Sequence, residues 1–338
     1  MLFIPLIEHT RGPLAEIVHS GAIAVVNARG QLQASVGDAH AMSFTRSTIK
    51  PFQALPFLIS GGIQAFGFTP QQTALLCASH NGEDMHIAQV DSMLQKVGQS
   101  YKALQCGCHV PLRFSYGGFT PPADLQFDER HNNCSGKHTG FLAFCVQHGL
   151  SLDNHLAPDH PLQVAIHQQV MRATGADAAQ LVAGTDGCSA PNYAMPLSKL
   201  AYAFARLASG AHDSELGEHF AVLCSAMGQH PEMVSGTGRN DLAFTQAGRG
   251  DWITKIGADG VQVIASISRQ EAIAIKVISG HMPALYAAAV EAMEQLGWLD
   301  AQQREVLEHW RHQTLLNARG KVVGEVRPCF TLTTAGPF

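Results

Sequence analysis

The sequence predicts an α/β fold of the α+β type, in which both chain ends contribute to one antiparallel sheet around a large helical insertion. Three observations predict it. Strand-like apolar runs fall early, at residues 21–37, and again from about residue 250. Between about 47 and 230 the apolar residues recur at helical spacing. No Pro/Gly/Ser-rich linker cuts the chain into independent parts. Strands at the two ends can pair only if the ends meet, which gives a single domain over 1–338. Its sheet comes from about 1–45 and 250–338, and its helical region from about 46–249.

The elements follow in order. "GAIAVV" and "QLQASV" flank the turn sequence "NARG" and read as a hairpin. "TPQQTALLCAS" opens a helix with Thr69 as N-cap, Pro70 at the first helical position and Gln72 at the capping-box position. "HTGFLAFCVQHG", "HPLQVAIHQQVMRATG", "LSKLAYAFARLASG" and "SELGEHFAVLCSAMG" carry helical periodicity and close on glycine. "DWITKIGADGVQVIASIS" is a second hairpin around "GADG", and "EAIAIKVI" is a third late strand. Two helices follow, near 283–297 and 299–313, before "NARGKVVGEV" repeats the first turn sequence.

Composition narrows the function. Apolar residues make up 46% and charged residues 14%, enough for a sizeable core under a modestly charged surface. The net charge is −5 and the 22 basic residues form no stripe, which argues against a nucleic-acid partner. No apolar run approaches a membrane span, and "MLFIPLIEH" makes a poor signal peptide, so the expected location is cytoplasmic, with no membrane partner. The eight cysteines show no disulfide-type spacing and are expected to be free thiols or metal ligands.

The chemistry begins at "RSTIKPF", where Ser47 and Lys50 stand three apart at a helix start. That spacing lets the amine reach the hydroxyl, and the helix N-terminus offers free N–H groups to an oxyanion. An S-x-x-K match alone is more often an ordinary helix start with a solvated lysine. It has company: "SHN" at 79–81 follows a helix, and "KIG" at 255–257 lies on a late strand. The order S-x-x-K, S-x-N, K-x-G, in these settings, is that of penicillin-recognising serine enzymes. Taken singly, Ser79 is a turn hydroxyl and Lys255 a strand lysine that discourages aggregation.

A further element joins "HNNCSGKHTGF" to "GTDGCSAP". Cys134 and Lys137 lie three apart at a helix start, and Cys188 follows a tight turn. Two thiolates and a third donor resemble an open zinc site, although spacing alone is more often that of buried cysteines. "CGCH" at 106–109 is not a complete metal site. "SGTGRNDLAF" at 235–244 is no phosphate loop and reads as a bend near the site with Arg239 exposed. The eighteen histidines form no convincing H-x-x-x-H pair on a helix, which disfavours a histidine-rich metal centre.

Together "RSTIKPFQALP", "ASHNGE", "HNNCSGKH", "GTDGCSAP", "HPEMVSGTGR" and "TKIGADGV" resemble the Rhizobium-type (class 3) L-asparaginases, the asparaginase II family. The likeness runs from about residue 10 to the C-terminus; "CGCH" departs from it. It implies a fold similar to serine β-lactamases and penicillin-binding proteins, a single catalytic domain and a homodimer. It implies two serine–lysine tandems, Ser47–Lys50 and Ser79–Lys255, and zinc on Cys134, Lys137 and Cys188, with no organic cofactor. The expected reaction takes L-asparagine to L-aspartate and ammonia through an acyl-enzyme. Ser47 would attack, with Ser79 the alternative nucleophile; Lys50 would take its proton, and Ser79 with Lys255 would relay a proton to ammonia. Arg46 is a candidate for the substrate α-carboxylate, and Asp186 for the α-ammonium. The rivals are a glutaminase or other small-amide hydrolase, separated by one methylene, and a non-catalytic zinc- or amino-acid-binding module.

Overall fold

In a computed structural model, which describes residues 2–334, the chain is a mixed α/β protein. Its strands are β1 Ile4–Arg11, β2 Leu14–Asn27, β3 Leu32–Val36, β4 Met42–Phe44, β5 Val182–Thr185 and β6 Pro191–Pro196. The later ones are β7 Trp252–Gly257, β8 Val261–Ser266, β9 Glu271–Val277, β10 Gln313–Leu316, β11 Val322–Pro328 and β12 Thr333–Thr334. The helices are α1 Lys50–Gln53, α2 Leu55–Ile59, α3 Gly62–Phe66, α4 Pro70–Leu76, α5 Asp84–Val97, α6 Leu112–Gly117 and α7 Ser135–Gln147. They continue with α8 Pro161–Thr174, α9 Leu197–Ser209, α10 Gly217–Gln229, α11 Pro231–Val234, α12 Asn240–Ala247, α13 Met282–Gln295 and α14 Ala301–Arg311. Among the described residues no helix is long and apolar enough to cross a membrane. The chain divides into two compact units: Met1–Thr48, Met195–Ala208 and Ala247–Phe338 form the first, and Ile49–Ala194 with Ser209–Gln246 the second.

The first unit holds the large antiparallel sheet, in the order β10-β11-β1-β2-β9-β8-β7, with β3 pairing both β2 and β12. Both chain ends take part, since β1 pairs β11 with Ile7 opposite Pro328. The second half of β2, Gly21–Asn27, is buried throughout, so both faces of the sheet are covered there. Helix α13 packs on β9, β11, β1 and β8. Its run Ala284–Met293 is buried without a break, and its alanines allow the close approach. Each buried Leu, Val or Met on it stabilises the unit by roughly 1.5–3 kcal/mol.

The repeated "NARG" has a physical basis. Asn27 Oδ1 accepts from the N–H groups of Arg29 and Gln31, and Asn317 Oδ1 accepts likewise from Arg319 and Lys321. Gly30 and Gly320 follow at φ 78° and 72°. The two hairpins β2–β3 and β10–β11 thus close on one turn chemistry. The first hairpin of the chain, β1–β2, turns instead at Gly12 and Pro13, a strand pair that the reading from residue 21 onward leaves out.

The second unit is helical, with one hairpin, β5–β6, inside it. The capping box expected on α4 is present: Gln72 N–H donates to Thr69 Oγ1 at 3.3 Å, and Thr69 N–H to Gln72 Oε1 at 3.1 Å. Helix α7 packs against α4 and α5. Two glycines set how near it comes. A Cβ on Gly136 would stand 2.4 Å from the Leu75 carbonyl oxygen, and one on Gly140 2.6 Å from Leu76 Cδ2. The start of α7, carrying Cys134 and Lys137, is thereby pressed against the end of α4, from which the loop 77–82 leads to Ser79.

Candidate active site

Loop 77–82 carries Ser79 and is tied at every residue. The N–H groups of Ser79, His80 and Asn81 donate to the carbonyls of Val234, Asn133 and Ser235 at 2.8–3.2 Å. Arg239 Nη1 donates to the Ser79 carbonyl at 3.3 Å and to Asn81 Oδ1 at 3.0 Å. Asn81 Nδ2 in turn donates to Glu83 Oε1 and to the Thr237 carbonyl, both at 2.9 Å. The asparagine of the S-x-N motif therefore spends its side chain on holding this loop to the segment 235–240. Arg239, expected to be exposed, is 3% exposed, with its guanidinium 4.0 Å from the Tyr116 ring centroid. The correction has a cause: a charge bracketed by glycine bends is buried when carbonyl and amide oxygens receive it.

Behind the loop, His80 is fully buried. Its Nδ1 accepts from Gly82 N–H, so Nε2 carries the proton toward Ser135 Oγ at 2.9 Å. Burial, then the neighbouring His86, pushes its pKa well below the ordinary histidine value. Burial lowers the His86 pKa as well, against the bond from Nε2 to the Glu232 carbonyl and the nearby Glu83 charge, which both raise it; Nδ1 accepts from Glu83 N–H.

Lys50 opens α1 and is 1% exposed. Its Nζ donates to the Ala78 carbonyl and lies 2.9 Å from Ser79 Oγ. Lysine and serine of the first two motifs are thus brought together directly.

Ser47 and Lys255 belong to the first unit. Ser47 is 8% exposed and sits in a 3-10 turn, Arg46–Ile49. Lys255 is fully buried on β7, with Nζ donating to the Ile256 carbonyl at 2.8 Å. The glycine of "KIG" has a steric reason. A Cβ at Gly257 would stand 2.9 Å from the Thr45 carbonyl oxygen and 3.3 Å from the Ser47 nitrogen. Arg46, just before Ser47, takes φ 48°, a left-handed conformation that costs a branched or long side chain on the order of 1–2 kcal/mol. Its guanidinium forms an ion pair with Asp259, itself at φ 58°. Arg46 therefore already holds a carboxylate at the place where a substrate carboxylate was expected.

The cysteine motifs meet in the second unit. Lys137 Nζ lies 3.1 Å from Cys188 Sγ, and Cys134, Lys137 and Cys188 are each 4% exposed or less. Cys134 is the N-cap of α7; Cys188 sits in the β5–β6 turn, where Gly187 N–H donates to Asp186 Oδ1 at 2.9 Å and Ser189 takes φ 68°. Cys134 first, then the Lys137 charge, hold Cys188 well below the usual thiol range against the cost of burial. The nearness of Cys188, then burial, pushes Cys134 well up. Burial opposes the charge on Lys137, but Cys188, Cys134 and more weakly Asp186 outweigh it and raise its pKa. Next to it, His138 is fully buried, and burial, against the raising effect of the neighbouring Cys188, pushes its pKa down to about 4. Two sulfurs and the Lys137 amine, once it gives up its proton, make a donor set that suits a borderline cation such as zinc.

One cluster has no helical H-x-x-x-H spacing to betray it. His9, His19 and His281, in the first unit, offer nitrogens that all lie within 4.8 Å of one another and could hold a metal ion. Cross-strand spacing around Gly12 and Pro13 is the signal that links the first two. The loop 235–240 is likewise more than a bend. Among the described residues its Ser235 Oγ, Arg239 Nε and both Asn240 side-chain polar atoms are buried without hydrogen-bond partners, which marks it as a polar lining.

A family model described as L-asparaginase II matches residues 7–328. No curated protein matches the chain.

Proposed function

We propose, from the premise that the chain belongs to the L-asparaginase II family, that it hydrolyses L-asparagine to L-aspartate and ammonia through a lysine-activated serine. The observation that carries this reading is the Lys50 Nζ to Ser79 Oγ distance of 2.9 Å in a buried setting. A serine oxygen attacks the side-chain carboxamide carbon and passes its proton to the lysine amine. The tetrahedral oxyanion collapses, the C–N bond breaks, and the lysine proton leaves with ammonia. Water then attacks the aspartyl ester, the lysine again takes a proton, and the serine is regenerated.

The hydrogen bond supports Ser79 as the oxygen that exchanges its proton with Lys50. Ser47 as attacking oxygen, with Lys50 its base and Ser79–Lys255 the relay, is the second reading. It is favoured by the left-handed Arg46 immediately before Ser47, a backbone strain of the kind found at functional sites. Mass analysis of an acid-quenched turnover mixture separates the two, since the aspartyl adduct marks one serine peptide.

Cys134, Lys137 and Cys188 would hold zinc, and zinc bound there would supply a Lewis acid that orients or polarises the substrate. Asp186, beside that pocket, is proposed for the substrate ammonium, and Arg46, once Asp259 yields, for its carboxylate. The serine β-lactamase-like architecture, a homodimer and a cytoplasmic location belong to the same proposal. The sheet closing from both chain ends supports the first, and the eight free cysteines support the last.

The test is ammonia release from L-asparagine and L-glutamine by the purified protein beside Lys50→Met. Asparagine turnover lost in the variant supports the reading. Release from glutamine alone moves it to a glutaminase, and release from neither amide overturns it.

A further inference from the structure

The histidines outside the proposed active site carry a separate inference. On β1 and β2, His9 faces Ile17 and Ile7 faces His19, so both histidines lie on one face of the hairpin as diagonal neighbours. His281 caps the N-terminus of α13, the helix packed on this sheet. The three rings close into one group. Centroids are 4.9 Å apart for His9 and His19, 5.3 Å for His9 and His281, and 4.4 Å for His19 and His281.

What singles the group out is its unused nitrogens. His9 Nε2 and His19 Nε2 are both buried with no hydrogen-bond partner among the described residues, and His19 is 7% exposed. A buried imidazole nitrogen without a partner is costly, and native structures rarely keep two side by side. The other nitrogen of His19 is engaged: Nδ1 lies 2.8 Å from Ser279 Oγ. A ligand histidine is oriented in this way, by a bond on the nitrogen that does not bind the ion.

We propose that His9, His19 and His281 form a binding site for a divalent transition metal of the zinc class, separate from the cysteine–lysine pocket. Three imidazoles suit zinc, cobalt, nickel or copper and leave a fourth position to water. Nitrogens within 4.8 Å must close to about 3.3 Å, the edge of a tetrahedron with ~2.0 Å bonds, which ring rotation supplies. The ion would clasp the β1–β2 hairpin to the start of α13. Its binding has a definite cost in the fold. His281 Nδ1 accepts the Ala284 N–H at 3.2 Å. Coordination through Nδ1 takes that lone pair, and coordination through Nε2 moves the ring proton onto Nδ1. Either way the Ala284 N–H loses its cap.

The test uses the untagged, metal-depleted full chain titrated with Co2+. The expected result is an equivalent bound with nitrogen and oxygen ligation and no sulfur-to-metal charge-transfer band. It should persist in Cys134→Ser/Cys188→Ser, raise Tm, and speed hydrogen exchange at the Ala284 amide. His19→Asn should abolish it. His281→Ser, which keeps a capping side chain, should abolish it too and guards against a His19 variant that does not fold. The proposal is overturned if His281→Ser binds Co2+ with the wild-type stoichiometry and Tm shift. It is equally overturned if every equivalent bound by the wild type shows sulfur ligation.

Discussion

Lys50 Nζ lies 2.9 Å from Ser79 Oγ and donates at the same time to the carbonyl of Ala78, the residue just before that serine. One contact thus fixes the amine and the other presents it to the hydroxyl.

Lys50→Met keeps the length and apolar body of the side chain and removes the base. The expected outcome is a fall in kcat of about 10²–10⁴-fold, the usual worth of a positioned acid–base group, with folding intact by circular dichroism. A kcat within tenfold of wild type in folded Lys50→Met would count against a lysine base.

His80 and His86 are both buried with pKa values lowered by desolvation. The sign follows directly. Above the ordinary histidine value both folded and unfolded chains are neutral, and the stability is fully present. As pH falls below about 6.5, the unfolded chain takes up protons that the folded one refuses, and stability is lost at about 1.4 kcal/mol per proton per pH unit. Urea midpoints measured from pH 7.5 down to 5 should therefore decline steeply. A midpoint independent of pH over that interval would show that these rings titrate normally.

The sheet, the central helices and the α4 cap were legible because each rests on local chemistry, such as the Thr69–Gln72 box or the Asn27 turn. The hairpin β5–β6 was not, since it is short and set among helical patterns. Arg239 was misjudged because its burial depends on Ser79 and Asn81, over 150 residues away in sequence. The histidine triad was invisible for the same kind of reason. Its third member is a helix cap brought in by the tertiary fold, and no linear spacing encodes that.

Metal content tests the cysteine pocket. Zinc held by Cys134, Lys137 and Cys188 requires Lys137 to give up a proton that the thiols favour. Uptake of zinc into apo protein should therefore release protons, readable by a pH indicator in weak buffer, and Cys188→Ala should retain one equivalent fewer. Equal zinc in Cys188→Ala and wild type would remove the pocket from consideration.

Arg239→Lys tests the loop that carries Ser79. Lysine keeps the charge, but its shorter side chain ends short of the point from which Arg239 Nη1 alone reaches both the Ser79 carbonyl and Asn81 Oδ1, and an ammonium cannot lie flat over Tyr116. A loss of about 2–4 kcal/mol in stability is expected from leaving buried oxygens and a misplaced charge. The fall in kcat should exceed any change in KM, since Ser79 is displaced. Activity and urea stability matching wild type would mean that the loop holds its shape without this residue.

Gly136 and Gly140 sit one turn apart on α7 and predict unequal results from the same substitution. Alanine ordinarily improves a helix by ~1 kcal/mol over glycine. At Gly136 the new Cβ would meet the Leu75 carbonyl at 2.4 Å, and backbone cannot step aside without moving α7 off α4. At Gly140 it would meet Leu76 Cδ2 at 2.6 Å, the tip of a side chain that can rotate. Gly136→Ala should thus destabilise by about 2 kcal/mol or more, in the range for overpacking, and depress kcat because Cys134 and Lys137 ride on the displaced turn. Gly140→Ala should fall within about 1 kcal/mol of wild type and keep its activity. Reversed ranks in urea denaturation would show that the helices are held apart by something other than these glycines.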